Sequence, residues 1–119
     1  MTAVRPFVAV LSHVPLVTVA IVDAIEGIAE ARAFTTKDGD TVGLLRSLRP
    51  DAIVVDGYGA AGEAAKYARA ADVPLVYIDL QERKLRVLEA NCWRDESGRP
   101  SSESLRNVVA EAIYDRARA

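Results

Sequence analysis

The chain is poor in the residues that most often carry chemistry. It has one cysteine, Cys92, and one histidine, His13, in 119 residues. A single cysteine excludes an internal disulfide and leaves no thiol cluster to hold zinc. Cytoplasmic residence is the expectation that follows. Aromatic residues make up only 6%, and Trp93 is the single tryptophan. Neither sign of charge dominates, and the formal net charge is −2. That balance gives no reason to expect a nucleic-acid or membrane surface, although a local patch is compatible with it. The longest apolar stretch, FVAVLSHVPLVTVAIV, is interrupted by His13 and Pro15. It is too broken for a membrane span, and no small-x-small site follows it as in a signal peptide. Repeats, low-complexity tracts and interdomain linkers are also lacking.

What is present suits one domain with one hydrophobic core, residues 1–119. Half the residues are hydrophobic and 27% are charged, the balance of an ordered globular chain. Phe7 to Leu11 is an apolar run bounded by Pro6 and Ser12, and reads as a buried strand. Val17, Ile21, Ala24, Ile25 and Ile28 then recur on one helical face. Ser12 or Pro15 can open that helix, and Gly27 weakens its end. A second strand is expected at Ala31 to Thr36, followed by a KDGD turn with Asp40 as a candidate N-cap. Val42, Leu45 and Leu48 line a short helix that Pro50 ends.

Ala52 to Val55 and Val73 to Ile78 are apolar without alternation, as expected of strands covered on both faces. Between them Ala61, Ala64, Ala65 and Ala68 give a helix with a narrow, small-residue face. Only Gln81 to Lys84 separate the fourth strand from Leu85 to Cys92. Four residues cannot make a crossover, so a hairpin is expected, with an antiparallel fifth strand at the edge. RDESGRP reads as a loop. Ser101 or Ser102 caps a last helix with a Leu105, Val108, Val109, Ala112, Ile113 stripe.

Alternating strands and helices give an α/β fold, a three-layer doubly wound sheet of order 2-1-3-4-5. Ligands in such sheets bind beyond the carboxyl ends of the strands. Ser12, His13, Asp56, Gly57 and Asp79 are therefore candidates for one rim.

LLRSLRPDAIVVDG resembles the third-strand region of response-regulator receiver domains, where a proline–aspartate pair precedes an apolar strand and the phosphoacceptor aspartate. VPLVYID resembles their fourth strand. The resemblance implies a flavodoxin-like fold, a role in signal transduction, and Asp56 as the possible phosphoacceptor or regulatory residue. It also marks the chain as degenerate. The family's acidic pair is replaced by Ser12 and His13, its hydroxyl residue by Asp79, and its lysine has no counterpart, since Lys84 lies before the fifth strand. Magnesium prefers carboxylate oxygens at the missing acidic positions. The expected function is an atypical receiver-like signalling or protein-interaction module without standard aspartyl phosphorylation. No metal or cofactor is expected, and the expected partner is another protein or a second copy.

Other readings stay open. Gly57, Gly59 and Gly62, with Tyr58 between the first two, match G-x-G-x-x-G after a strand, and Asp79 follows twenty residues after Gly59. Such a turn can present amides to a phosphate and a carboxylate to a ribose. The bland alternative is a tight turn with close helix packing. Asp56 and Asp79 are either an acidic pocket or separate strand-end caps. His13 is a base, a ligand or merely a loop histidine. Ser12, His13 and Asp56 lack the G-x-S-x-G elbow that would make them a hydrolytic trio, and no enzyme activity is expected. Cys92 reads as buried packing, Trp93 as core cover or an interface anchor, and Tyr58 as exposed.

Overall fold

The computed structural model describes residues 6–12, 15–34, 40–56, 58–79, 81–96 and 101–118, without the side chains of 58–60 and 115–118. The elements run β1 (Phe7–Leu11), α1 (Pro15–Ile25), β2 (Glu30–Phe34), α2 (Thr41–Leu48), β3 (Ala52–Asp56), α3 (Tyr58–Ala71), β4 (Leu75–Asp79), β5 (Lys84–Glu89), β6 (Cys92–Asp95) and α4 (Ser102–Arg118). One sheet holds all six strands in the order β2-β1-β3-β4-β5-β6. The first four are mutually parallel, and β4, β5 and β6 form an antiparallel meander.

Alternation along the strands divides the interior in two. Val8, Val10, Ala52, Val54, Val76, Ile78, Leu85 and Val87 meet Ile21 and Ile25 of α1 and Leu105 and Val109 of α4. On the opposite face Ala9, Leu11, Ile53, Val55, Leu75, Tyr77 and Leu88 meet Leu45 of α2 and Ala64 and Ala68 of α3. Strands β3 and β4 are buried at every position, which is why their sequences show no period of two. Small residues on α3 leave little between that helix and the sheet.

Local chemistry sets the ends of the helices. Pro15 occupies the first position of α1, where its missing N–H costs nothing. Gly27, with φ of 98°, follows the last turn. Asp40 precedes α2 but makes no side-chain cap. Arg49 ends that helix in the left-handed region, its N–H donating to the Leu45 carbonyl at 2.9 Å. Asp72 ends α3 in the same way, with φ of 56°, and the Val73 N–H reaches the Ala68 carbonyl at 3.0 Å. Ser101 and Ser104 cap α4 reciprocally: the Ser104 N–H donates to Ser101 Oγ at 3.0 Å and the Ser101 N–H to Ser104 Oγ at 2.7 Å. Asp51 ties the opposite rim, its Oδ2 accepting the Phe7 N–H at 2.8 Å.

The hairpin after β4 is present, and β5 is antiparallel as expected. The expected edge position of the fifth strand is corrected. A two-residue turn at Ala90 and Asn91, with φ of 51° and 63°, sends the chain back as β6, which lies outside β5. Arg94 and Asp95, expected in a loop, belong to that strand. All four β6 residues are exposed, Cys92 included, so the cysteine is not core packing. No described helix is long and apolar enough to cross a membrane.

Candidate functional site

Parallel strands β1 and β3 are neighbours in register, with Leu11 beside Val55. Their next residues, Ser12 just past β1 and Asp56 at the last position of β3, therefore lie side by side. Each lies two positions beyond a residue of the α1/α4 face, Val10 and Val54, so both side chains turn to that face. Ser12 Oγ donates to Asp56 Oδ2 at 2.8 Å. Both are buried: Asp56 is 2% exposed and Ser12 7%. A buried carboxylate is costly unless it accepts hydrogen bonds. The Ser12 hydroxyl supplies one, and Asp56 has no other described protein donor.

Asp79 is equally buried at 2% exposure and ends the next strand. It does not join the pair. Val54 lies beside Val76, so the residue opposite Asp56 is Ile78, and Asp79 turns to the α3 face with Tyr77. An acidic pocket of Asp56 with Asp79 is thereby excluded. Asp79 instead holds the hairpin, its Oδ1 accepting the N–H of Gln81 at 3.1 Å and of Glu82 at 3.0 Å. This is an Asx-type turn, a local use of a strand-end aspartate.

His13 and Gly57 lie outside the described residues, as does the Tyr58 side chain. The segment expected as a glycine turn is helical from Tyr58 onward, so Gly59 and Gly62 sit in the opening turns of α3. Close packing does not explain Gly62. A Cβ built there meets nothing within 4 Å.

Gly62 instead borders a groove of about 490 Å³ that also takes in Ala65 and Arg69 of α3, Tyr77 of β4, Arg86 of β5 and Trp93 of β6. The groove exists because the β4–β5 hairpin stands where a crossover helix would cover this face. The absent crossover was visible in the sequence; the residues it uncovers were not, because strand register decides them. A second, apolar groove of about 270 Å³ runs between the first turns of α1 and α4 over Ile78 and Leu85. Leu16 at its margin is 84% exposed. Ile78 in its floor is the strand neighbour of Asp56, but neither Asp56 nor Ser12 lines this groove.

The arrangement offers one hydrogen-bonded carboxylate at a parallel-sheet rim, with the α1, α3 and α4 N-termini at the same end. Among the described residues no group of three or more His, Cys, Asp or Glu side chains is placed to hold a metal ion. In comparisons with protein-family models, curated proteins and solved structures, the chain matches none.

Proposed function

We propose that the chain is an atypical receiver-like domain, a signalling or protein-interaction module that works through its surface without standard magnesium-dependent aspartyl phosphorylation. The observation that carries this is Asp56 at the tip of the third strand, buried and bonded to Ser12. Receiver domains keep an acceptor aspartate at that tip and carboxylates at the end of the first strand. Here the first strand delivers a hydroxyl to the aspartate instead. A hydroxyl that occupies one carboxylate oxygen, in a site closed to solvent, opposes both metal binding and in-line attack on a phosphoryl donor. The parallel half of the sheet supports the resemblance; the β4–β6 meander departs from it.

The test is incubation with acetyl phosphate and magnesium followed by intact-mass measurement. No adduct is expected. A mass increase that disappears in Asp56→Asn would overturn the proposal.

A second reading keeps some support from α3, which opens directly after β3 with Gly59 in its first turn. A small ligand or nucleotide could place its phosphate at that N-terminus. Thermal shift against a nucleotide panel separates the two readings: stabilisation lost in Gly59→Val would favour the ligand-binding domain.

A further inference from the structure

Among the described residues, no strand pairs with the outer side of β6. Cys92 pairs with Glu89 across the two-residue turn, and the Glu96 N–H donates to the Leu85 carbonyl at 2.8 Å. Backbone groups alternate sides along an antiparallel strand. Cys92, Arg94 and Glu96 thus spend theirs on β5, while Trp93 and Asp95 turn theirs outward, where no described strand pairs with them.

Edge strands are commonly guarded by charge. On β6 the charges are drawn inward. Arg94 lies 3.2 Å from Glu89 of β5 and 3.1 Å from Glu96. Asp95 lies 3.3 Å from Arg86 and 3.5 Å from Lys84, both on β5. Neither charge stands across the row of open amides, and the one large side chain there, Trp93, is 41% exposed.

We propose that β6 pairs with β6 of a second copy of this chain, antiparallel across a two-fold axis normal to the sheet, with Trp93 opposite the same tryptophan. This names the partner of the interaction module proposed above and rests on that reading. The strand is complementary to itself. Its first half, Cys92 and Trp93, is uncharged; its second half, Arg94 and Asp95, is charged. Two-fold pairing about Trp93 sets Arg94 against the other copy's Cys92 and leaves Asp95 at the end of the ladder, opposite Asn91 of the turn. Both neighbouring registers are penalised. Sliding one way opposes Arg94 to Arg94, a like-charge pair. Sliding the other way brings the left-handed Ala90–Asn91 turn against Trp93, where its backbone cannot continue a ladder. Trp93 offers its own N–H and C=O outward, so the central pair exchanges two hydrogen bonds, and the indoles meet on one face.

The experiment is sedimentation velocity of the full chain across a concentration series, with two variants. The wild-type mass should move from 12.8 kDa towards twice that value as concentration rises. Trp93→Pro removes an amide that faces away from β5, so it should keep its circular dichroism and remain monomeric. Trp93→Cys in a Cys92→Ser background should give a disulfide-linked dimer on mild oxidation, and this variant decides the matter if the proline variant does not fold. A wild-type chain monomeric at every concentration, a folded Trp93→Pro that still dimerises, or a Trp93→Cys chain that fails to cross-link would each overturn the pairing. The acetyl phosphate experiment fails separately: labelling of Asp56 would sink the module reading while leaving the sedimentation result standing.

Discussion

Ser12 and Asp56, 44 residues apart in the chain, meet at 2.8 Å as a buried hydroxyl–carboxylate pair at the ends of adjacent parallel strands. Removing the hydroxyl leaves the carboxylate buried without that donor. Ser12→Ala should therefore destabilise the chain by about 1–3 kcal/mol. Asp56→Asn retains an acceptor and should cost less than Asp56→Ala. In urea unfolding, the Ser12→Ala, Asp56→Ala double variant should lose less than the sum of the single losses. Strict additivity would mean that the two groups are not coupled.

Asp79 supplies one oxygen to two amides of the hairpin turn. Asp79→Ala should cost about 1–2 kcal/mol, as for loss of a helix cap. Hydrogen exchange at the Gln81 and Glu82 amides should accelerate, with little change at β1. Asp79→Asn, which keeps the acceptor, should restore most of the protection.

Gly62 lies inside a helix with open space where a side chain would begin. Gly62→Ala should raise stability by about 1 kcal/mol, the difference in helix propensity. Thermal denaturation reads this directly. A loss of stability would show that the α3 surface is tighter than the geometry around the groove indicates.

Arg49 and Asp72 end their helices with φ of 50° and 56°. Side chains with a Cβ are strained there and glycine is not. Arg49→Gly and Asp72→Gly should each stabilise by about 0.5–1 kcal/mol, and the effects should add because the two caps are in separate helices. Chemical denaturation of the singles and the double tests both statements.

The parallel half of the fold was legible because its signals are local and strong. Phe7–Leu11 announces itself as an unbroken apolar run between Pro6 and Ser12, and the structure gives β1 those same limits. The last helix shows both its serine cap and its apolar stripe. Strand β6 was hidden for the converse reason. CWRD buries neither face, so it carries no hydrophobic period. Its turn uses Ala90 and Asn91 where glycine would have marked the reversal. The site divides along similar lines. That Ser12 and Asp56 share a rim follows from strand order alone. That Asp79 turns away follows from the Val54–Val76 register, and sequence does not fix the offset between two apolar strands.

The meander of β4, β5 and β6 has a kinetic consequence. Its pairings join near neighbours, such as Ile78 with Leu85 and Leu88 with Trp93, whereas β1 must find Ala52 from Val8. Closing short loops sacrifices less chain entropy than closing long ones, and local pairings correlate with fast folding. During refolding, pulse-labelled amides of β5 should gain protection before those of β1. The Leu75–Asp95 meander would then serve as the template on which the parallel strands assemble.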